Sequence, residues 1–95
     1  MGHRRGSNLK GRNFDQKTID KVWDKGVKIY SKNPNLYRQD SAGNEIYKPS
    51  YGKDSNKGWQ IDHKKPASKG GSDNLRNLQP LQTEENKEKG DTYPW

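Results

Sequence analysis

The chain has 95 residues, with 19 Lys and Arg against 12 Asp and Glu for a net charge of +7, and no cysteine. This length suits one small domain and excludes a multidomain enzyme, and the lack of cysteine excludes a disulfide scaffold and a thiolate zinc site. Leu, Ile, Val and Phe number only twelve and mean hydropathy is -1.58, close to a disordered composition, yet three Trp and five Tyr supply the large apolar areas of a thin core.

Such a core needs help. Without cysteine, that help is expected from a bound hard cation or a nucleic-acid partner. No apolar run reaches the length of a signal-peptide core or a membrane span.

Residues 1–12 carry Arg4, Arg5, Lys10 and Arg12 without an acid, so four of the seven excess charges sit in this stretch. It reads as a flexible basic arm ahead of a domain at 13–95. The arm either touches phosphate backbones non-specifically or merely solubilises that domain. Phe14, Ile19, Val22 and Trp23 then recur at helical spacing, with Asp15 as N-cap and Gly26 as stop. Trp23 shares a face with Ile19, which makes it a core anchor rather than a base-stacking platform.

Asn33-Pro34 breaks the next connection. Leu36 to Asp40 and Glu45 to Lys48 flank Ser41-Ala42-Gly43-Asn44, the chemistry of a β-hairpin, with Arg38 and Asp40 expected as a pair on it. Residues 49–58 are rich in turn formers and read as a mobile surface loop.

Trp59-Gln60-Ile61 alternates as a strand and places Asp62 and His63 at its end. Lys64 to Gly71 form a loop with lysines beside the candidate site and glycines that permit positive φ. A return segment, Asn77 to Leu81, leads to a short helix over Glu84 to Lys89, N-capped by Thr83 and ended by Gly90. Asn86 falls about one turn into that helix. Strand, loop, strand and helix can thus bring Asp62, His63 and Asn86 to one point. Tyr93-Pro94-Trp95 is apolar enough to be expected back on the body.

Those residue types suit phosphodiester hydrolysis. Neutral His63, with a reference pKa of about 6.5, can take a proton from water at physiological pH. Asp62 and Asn86 offer hard oxygens that favour Mg²⁺ or Mn²⁺ over zinc, so no structural zinc is expected. Lys64, Lys65, Lys69 and Arg76 are candidates for phosphate contacts, and equally for a solvated rim.

Asp62-His63, Asn77 fourteen residues after the histidine and Asn86 nine further on resemble the HNH endonuclease motif in its His-Asn-Asn form, with Pro66, Gly70-Gly71, Asn77-Leu78 and Lys89-Gly90 also in place. The similarity is concentrated in residues 59–90. The stretch from Val22-Trp23 through Arg38-Gln39-Asp40, Gly43 and Tyr51-Gly52 is similar to the region before the motif in small bacterial and phage HNH proteins and nuclease toxin domains.

The resemblance implies an α+β fold: a small ββα-metal domain preceded by a short helix and a β-hairpin. It also implies that Asp62 and Asn86 hold one divalent ion, that His63 is the general base, and that Asn77 pins the loop between the strands. The implied products carry a 5′-phosphate and a 3′-hydroxyl. Asn86 stands where many members have a second histidine.

DNA is the implied substrate, with RNA open. Two other readings stand beside nuclease activity. One is a non-catalytic basic module that binds nucleic acid. The other is a toxin domain neutralised by an acidic immunity or inhibitor protein.

Overall fold

A computed structural model describes residues 7–9 and 13–93. Arg4, Arg5, Lys10 and Arg12 of the basic arm, and Pro94 and Trp95, lie outside the described residues. The architecture is small α+β. Helix α1 (Gln16–Trp23) is followed by strands β1 (Val27–Lys28), β2 (Tyr37–Gln39) and β3 (Glu45–Tyr47), then β4 (Trp59–His63), β5 (Leu78–Gln82) and helix α2 (Thr83–Lys89). β1, β2 and β3 form one antiparallel sheet in that order, and β4 and β5 form a second.

α1 begins where the sequence asks it to. Asp15 is extended and its carboxylate accepts from the Thr18 backbone N–H at 2.8 Å, satisfying one of the orphan donors of the first turn. Ile19, Val22 and Trp23 turn inward and join Phe14, Ile46, Trp59, Ile61 and Leu78 in one apolar cluster. Trp23 and Trp59 meet at 5.2 Å between ring centroids and Tyr51 sets its edge on Trp59 at 4.9 Å, pairs that contribute roughly 0.5–1.5 kcal/mol each beyond their area. The aromatic core expected from composition is therefore present.

The expected hairpin of β2 and β3 is present but extended, and other expectations need correction. The hairpin is the centre and edge of a three-stranded sheet, because β1 pairs Val27 with Gln39 and Lys28 with Arg38. Both β1 residues are exposed, so no alternation marked the strand. First, Arg38 and Asp40 do not pair with each other. Arg38 donates to the carbonyls of Pro34, Asp24 and Gly26, the last two at the end of α1. Asp40 accepts from the N–H groups of Ala42, Asn44 and Gln82. Each found backbone groups left unsatisfied by a helix end or a turn, which a side chain two residues away cannot offer.

Secondly, residues 49–58 are tied down rather than slack. Gly52 donates to Trp59 O at 2.8 Å, Tyr47 donates to Lys57 O at 3.0 Å, and Tyr51 packs against the core. Lastly, Thr83 is the first residue of α2, not its cap. Gln82 holds the cap position without a side-chain bond, and the Thr83 hydroxyl donates to Lys53 O at 2.8 Å. Tyr93 is exposed, so that part of the C-terminal stretch does not pack back.

β4 and β5 run antiparallel in the register Trp59↔Gln82 to His63↔Leu78, and the chain passes from Gln82 straight into α2. The hairpin and α2 make a ββα unit, and α1 covers its other side. Among the described residues, no helix is long and apolar enough to cross a membrane.

Candidate active site

Alternation along β4 sends Gln60 and Asp62 to one face and Trp59, Ile61 and His63 to the other. The first face lies under α2. Asn86 and Lys89, three residues apart and so on one side of that helix, reach down onto it. The Asn86 amide nitrogen donates to Gln60 Oε1 at 2.7 Å, and the Lys89 ammonium lies 3.3 Å from Asp62 Oδ2. Asn86 is 2% exposed and Lys89 also 2%, which is unusual for a lysine.

Burial pushes the Asp62 carboxyl above its ordinary value, against the pull of the Gln79 amide and the Lys89 charge. Gln79 donates to Asp62 Oδ2 at 2.8 Å. Lys89 also donates to the His63 backbone carbonyl at 3.1 Å, so it fastens the end of the strand as well as the carboxylate. Among the described residues, both Gln79 and Lys89 lie at Oδ2, which leaves Oδ1 for a ligand; the Asn86 amide nitrogen is committed to Gln60, which leaves its oxygen.

Carboxylate and amide oxygens are the hard donor type that suits Mg²⁺ or Mn²⁺. The described residues gather no group of three or more His, Cys, Asp or Glu suited to enclosing a metal.

The His63 imidazole points the other way. Its ring lies 6.1 Å from that of Phe14, just ahead of α1, and its Nε2 is 2.7 Å from Asp73 Oδ1. Asp73 in turn accepts from the Leu9 backbone N–H, at 2.9 Å to Oδ2 and 3.2 Å to Oδ1.

Residues 64–77 join the two strands through short 3-10 turns at Ala67–Lys69 and Leu75–Asn77. Asn77 laces this loop: its side-chain oxygen accepts from Lys65 N at 2.9 Å, and its amide donates to Lys65 O at 3.1 Å and Ser72 O at 2.8 Å. Gly71 is what allows so close a closure. A Cβ there would stand 1.7 Å from the Lys65 carbonyl oxygen and 3.0 Å from Asn77 Nδ2. Lys25 adds a strut from the end of α1, donating to the carbonyls of Leu75 and Leu78.

Lys64, Lys65, Lys69 and Arg76 are all exposed along this loop. The structure therefore sets Asp62 and Asn86 on the face of β4 that α2 covers, each with its own partners there, sets the His63 side chain across β4 from them, and places Asn77 and the four cations in the loop that leaves the strand end. Sequence reasoning gave no role at the site to three members of the arrangement: Gln60, Lys89 and Asp73. Lys89 had a signal, its i, i+3 relation to Asn86. Asp73 had none, because loop closure alone carries it back to a histidine ten residues earlier.

The family model described as HNH endonuclease matches residues 50–95, a segment that contains β4, β5, α2 and the loop between the strands. No curated protein and no solved structure matches the chain.

Proposed function

We propose that this chain, whose residues 50–95 match the HNH endonuclease family model, is a metal-dependent endonuclease that hydrolyses DNA phosphodiester bonds with His63 as general base. The observation that supports it is the grouping around β4. Oxygen donors of Asp62 and Asn86 lie on one side, the His63 imidazole lies on the other, and four exposed cations line the loop that follows it.

Phosphoryl displacement sets the incoming water and the leaving oxygen roughly in line on opposite sides of phosphorus. A base and oxygen donors that straddle a strand suit a phosphate held across it. Asp62 and Asn86 would hold a Mg²⁺ or Mn²⁺ ion, which when bound would supply positive charge to the developing anion of the phosphoryl transfer.

The rest is the work of this chain's own groups. His63 takes a proton from the attacking water, a contribution of about 10²–10⁴-fold in rate. Asn77 holds the loop closed around it. Lys64, Lys65, Lys69 and Arg76 bind backbone phosphates without reading sequence, and residues 1–12 extend that contact ahead of the catalytic domain at 13–95. Products carry a 5′-phosphate and a 3′-hydroxyl. One site per chain cuts one strand per engagement, so nicking with low sequence specificity is the expected outcome.

The test is a supercoiled-plasmid assay with Mg²⁺, with Mn²⁺ and with EDTA, beside His63→Ala. We expect metal-dependent nicking that falls by at least 10²-fold in the variant while DNA binding persists. Absence of cutting with either metal, together with a salt-sensitive gel shift, would replace this reading with the binding module.

A further inference from the structure

We propose that Asp73 is the positioning residue of the His63 base, and that the backbone of Leu9 holds Asp73 in that role. The inference rests on the reading of His63 as base and adds what orients it. A carboxylate only accepts hydrogen bonds, so the 2.7 Å contact between Asp73 Oδ1 and His63 Nε2 puts the proton on Nε2. In the neutral ring Nδ1 is then bare and is the atom that receives the proton from water. The arrangement obeys a general rule for histidines at work: the partner of one ring nitrogen decides the chemistry of the other.

An acid on an exposed loop is an uncertain orienter unless something fixes it. Here two things do. Asn77 binds Ser72 O, the residue directly before Asp73, and so fixes the loop from behind. From the front, the Leu9 N–H bridges both carboxylate oxygens. Residues 7–9 are folded back toward the domain, with Ser7 paired to Asn13, so the segment that carries Leu9 is itself tethered. The Phe14 ring beside His63 limits the imidazole from the other side. The start of the chain thus does more than add charge: it closes over the acid that aims the base.

The experiment reads the pair directly and needs no cleavage. In the 95-residue chain carrying His3→Gln, His63 is the sole imidazole. With the ring in its neutral form, nitrogen-15 NMR should show the proton on Nε2, and that N–H proton slow to exchange. Asp73→Ala should lose the slow proton. Asp73→Asn should keep it, because an amide oxygen still accepts, and Leu9→Pro, which removes the backbone donor, should speed its exchange.

A proton found on Nδ1, or a slow Nε2 proton that survives Asp73→Ala, would overturn the proposal whether or not the protein cuts DNA. An unchanged exchange rate in Leu9→Pro would overturn the part given to Leu9. In the plasmid assay, Asp73→Ala should lower kcat by about 10–100-fold with KM unchanged, and Asp73→Asn should recover part of it. A rise in KM alone would make Asp73 a binding residue instead.

Discussion

β4 is covered on both faces, by opposite chemistry. Toward α1 it sets Trp59 and Ile61, both fully buried, against Trp23, Val22 and Ile19. Toward α2 it sets Gln60 and Asp62 against Asn86 and Lys89. Dispersion and area burial on the first face are non-directional, so a side chain of similar size and polarity can replace another with modest loss. On the second face each group depends on one or two partners at defined distances, and removing a partner leaves a buried polar atom or charge in a low dielectric. A domain with so little aliphatic material thus uses one side of a strand for adhesion and keeps the other for oxygens and a charge.

The sharpest way to break that contrast is on the apolar face. Trp59→Ala should cost about 3–5 kcal/mol, enough to unfold much of the population of so small a domain, as read by thermal denaturation. Loss of less than about 1 kcal/mol would mean that the aromatic cluster is not the core.

On the polar face, Lys89→Met strands the Asp62 carboxylate and should cost roughly 3 kcal/mol at neutral pH. The double variant Asp62→Asn, Lys89→Met should regain most of it. If the double variant is no better than the sum of the two single ones, the two groups are not coupled and the pairing across the α2 face is wrong.

Asn77→Ala removes three side-chain bonds that close the loop, two of them to Lys65. Because the site is only half-buried, about 1–2 kcal/mol is the expected loss of stability, with a larger loss of cleavage than of DNA binding. Equal losses in both would show that the loop serves contact rather than geometry.

The smallest effect is confined to alkali. Burial pushes the Tyr51 phenol up to about 12. Between about pH 10 and about pH 12 the unfolded chain sheds that proton and the folded one keeps it, so this tyrosine's contribution to stability falls as pH rises through the window and is unchanged below it. Absorbance titration should show one tyrosine ionising after the others. If all five titrate together near 10, Tyr51 is not packed against Trp59 in the way its ring contact requires.

Much of the ββα unit could be read before any coordinates. Trp59 to His63 alternates, Gly70-Gly71 marks a loop that must close on itself, and the spacing to Asn77 and Asn86 names a family that residues 50–95 match. Such features are local or keyed to fixed separations, and the physics behind them acts within a few residues: pleat, φ freedom, helix spacing. α1 was legible for the same reason, with Asp15 capping as its type and position suggest. The partners of Arg38, Asp40 and Thr83 were not, since each bonds backbone groups exposed by a distant element, and a residue type says that it can bond without saying to what.

By itself, then, the sequence determined the class of domain, its aromatic core and the residues with the chemistry to hold a metal or move a proton, because residue type and short-range spacing suffice for those. Only the tertiary structure decided how they are shared out. Alternation and twist put Asp62 and His63 on opposite faces of one strand end, helix packing drove Lys89 into the interior beside Asp62, and closure of residues 64–77 carried Asp73 to His63 and Leu9 to Asp73. Those contacts join residues 10 to 64 positions apart, and the entropy of closing such loops is offset by the packed whole rather than by any segment of it.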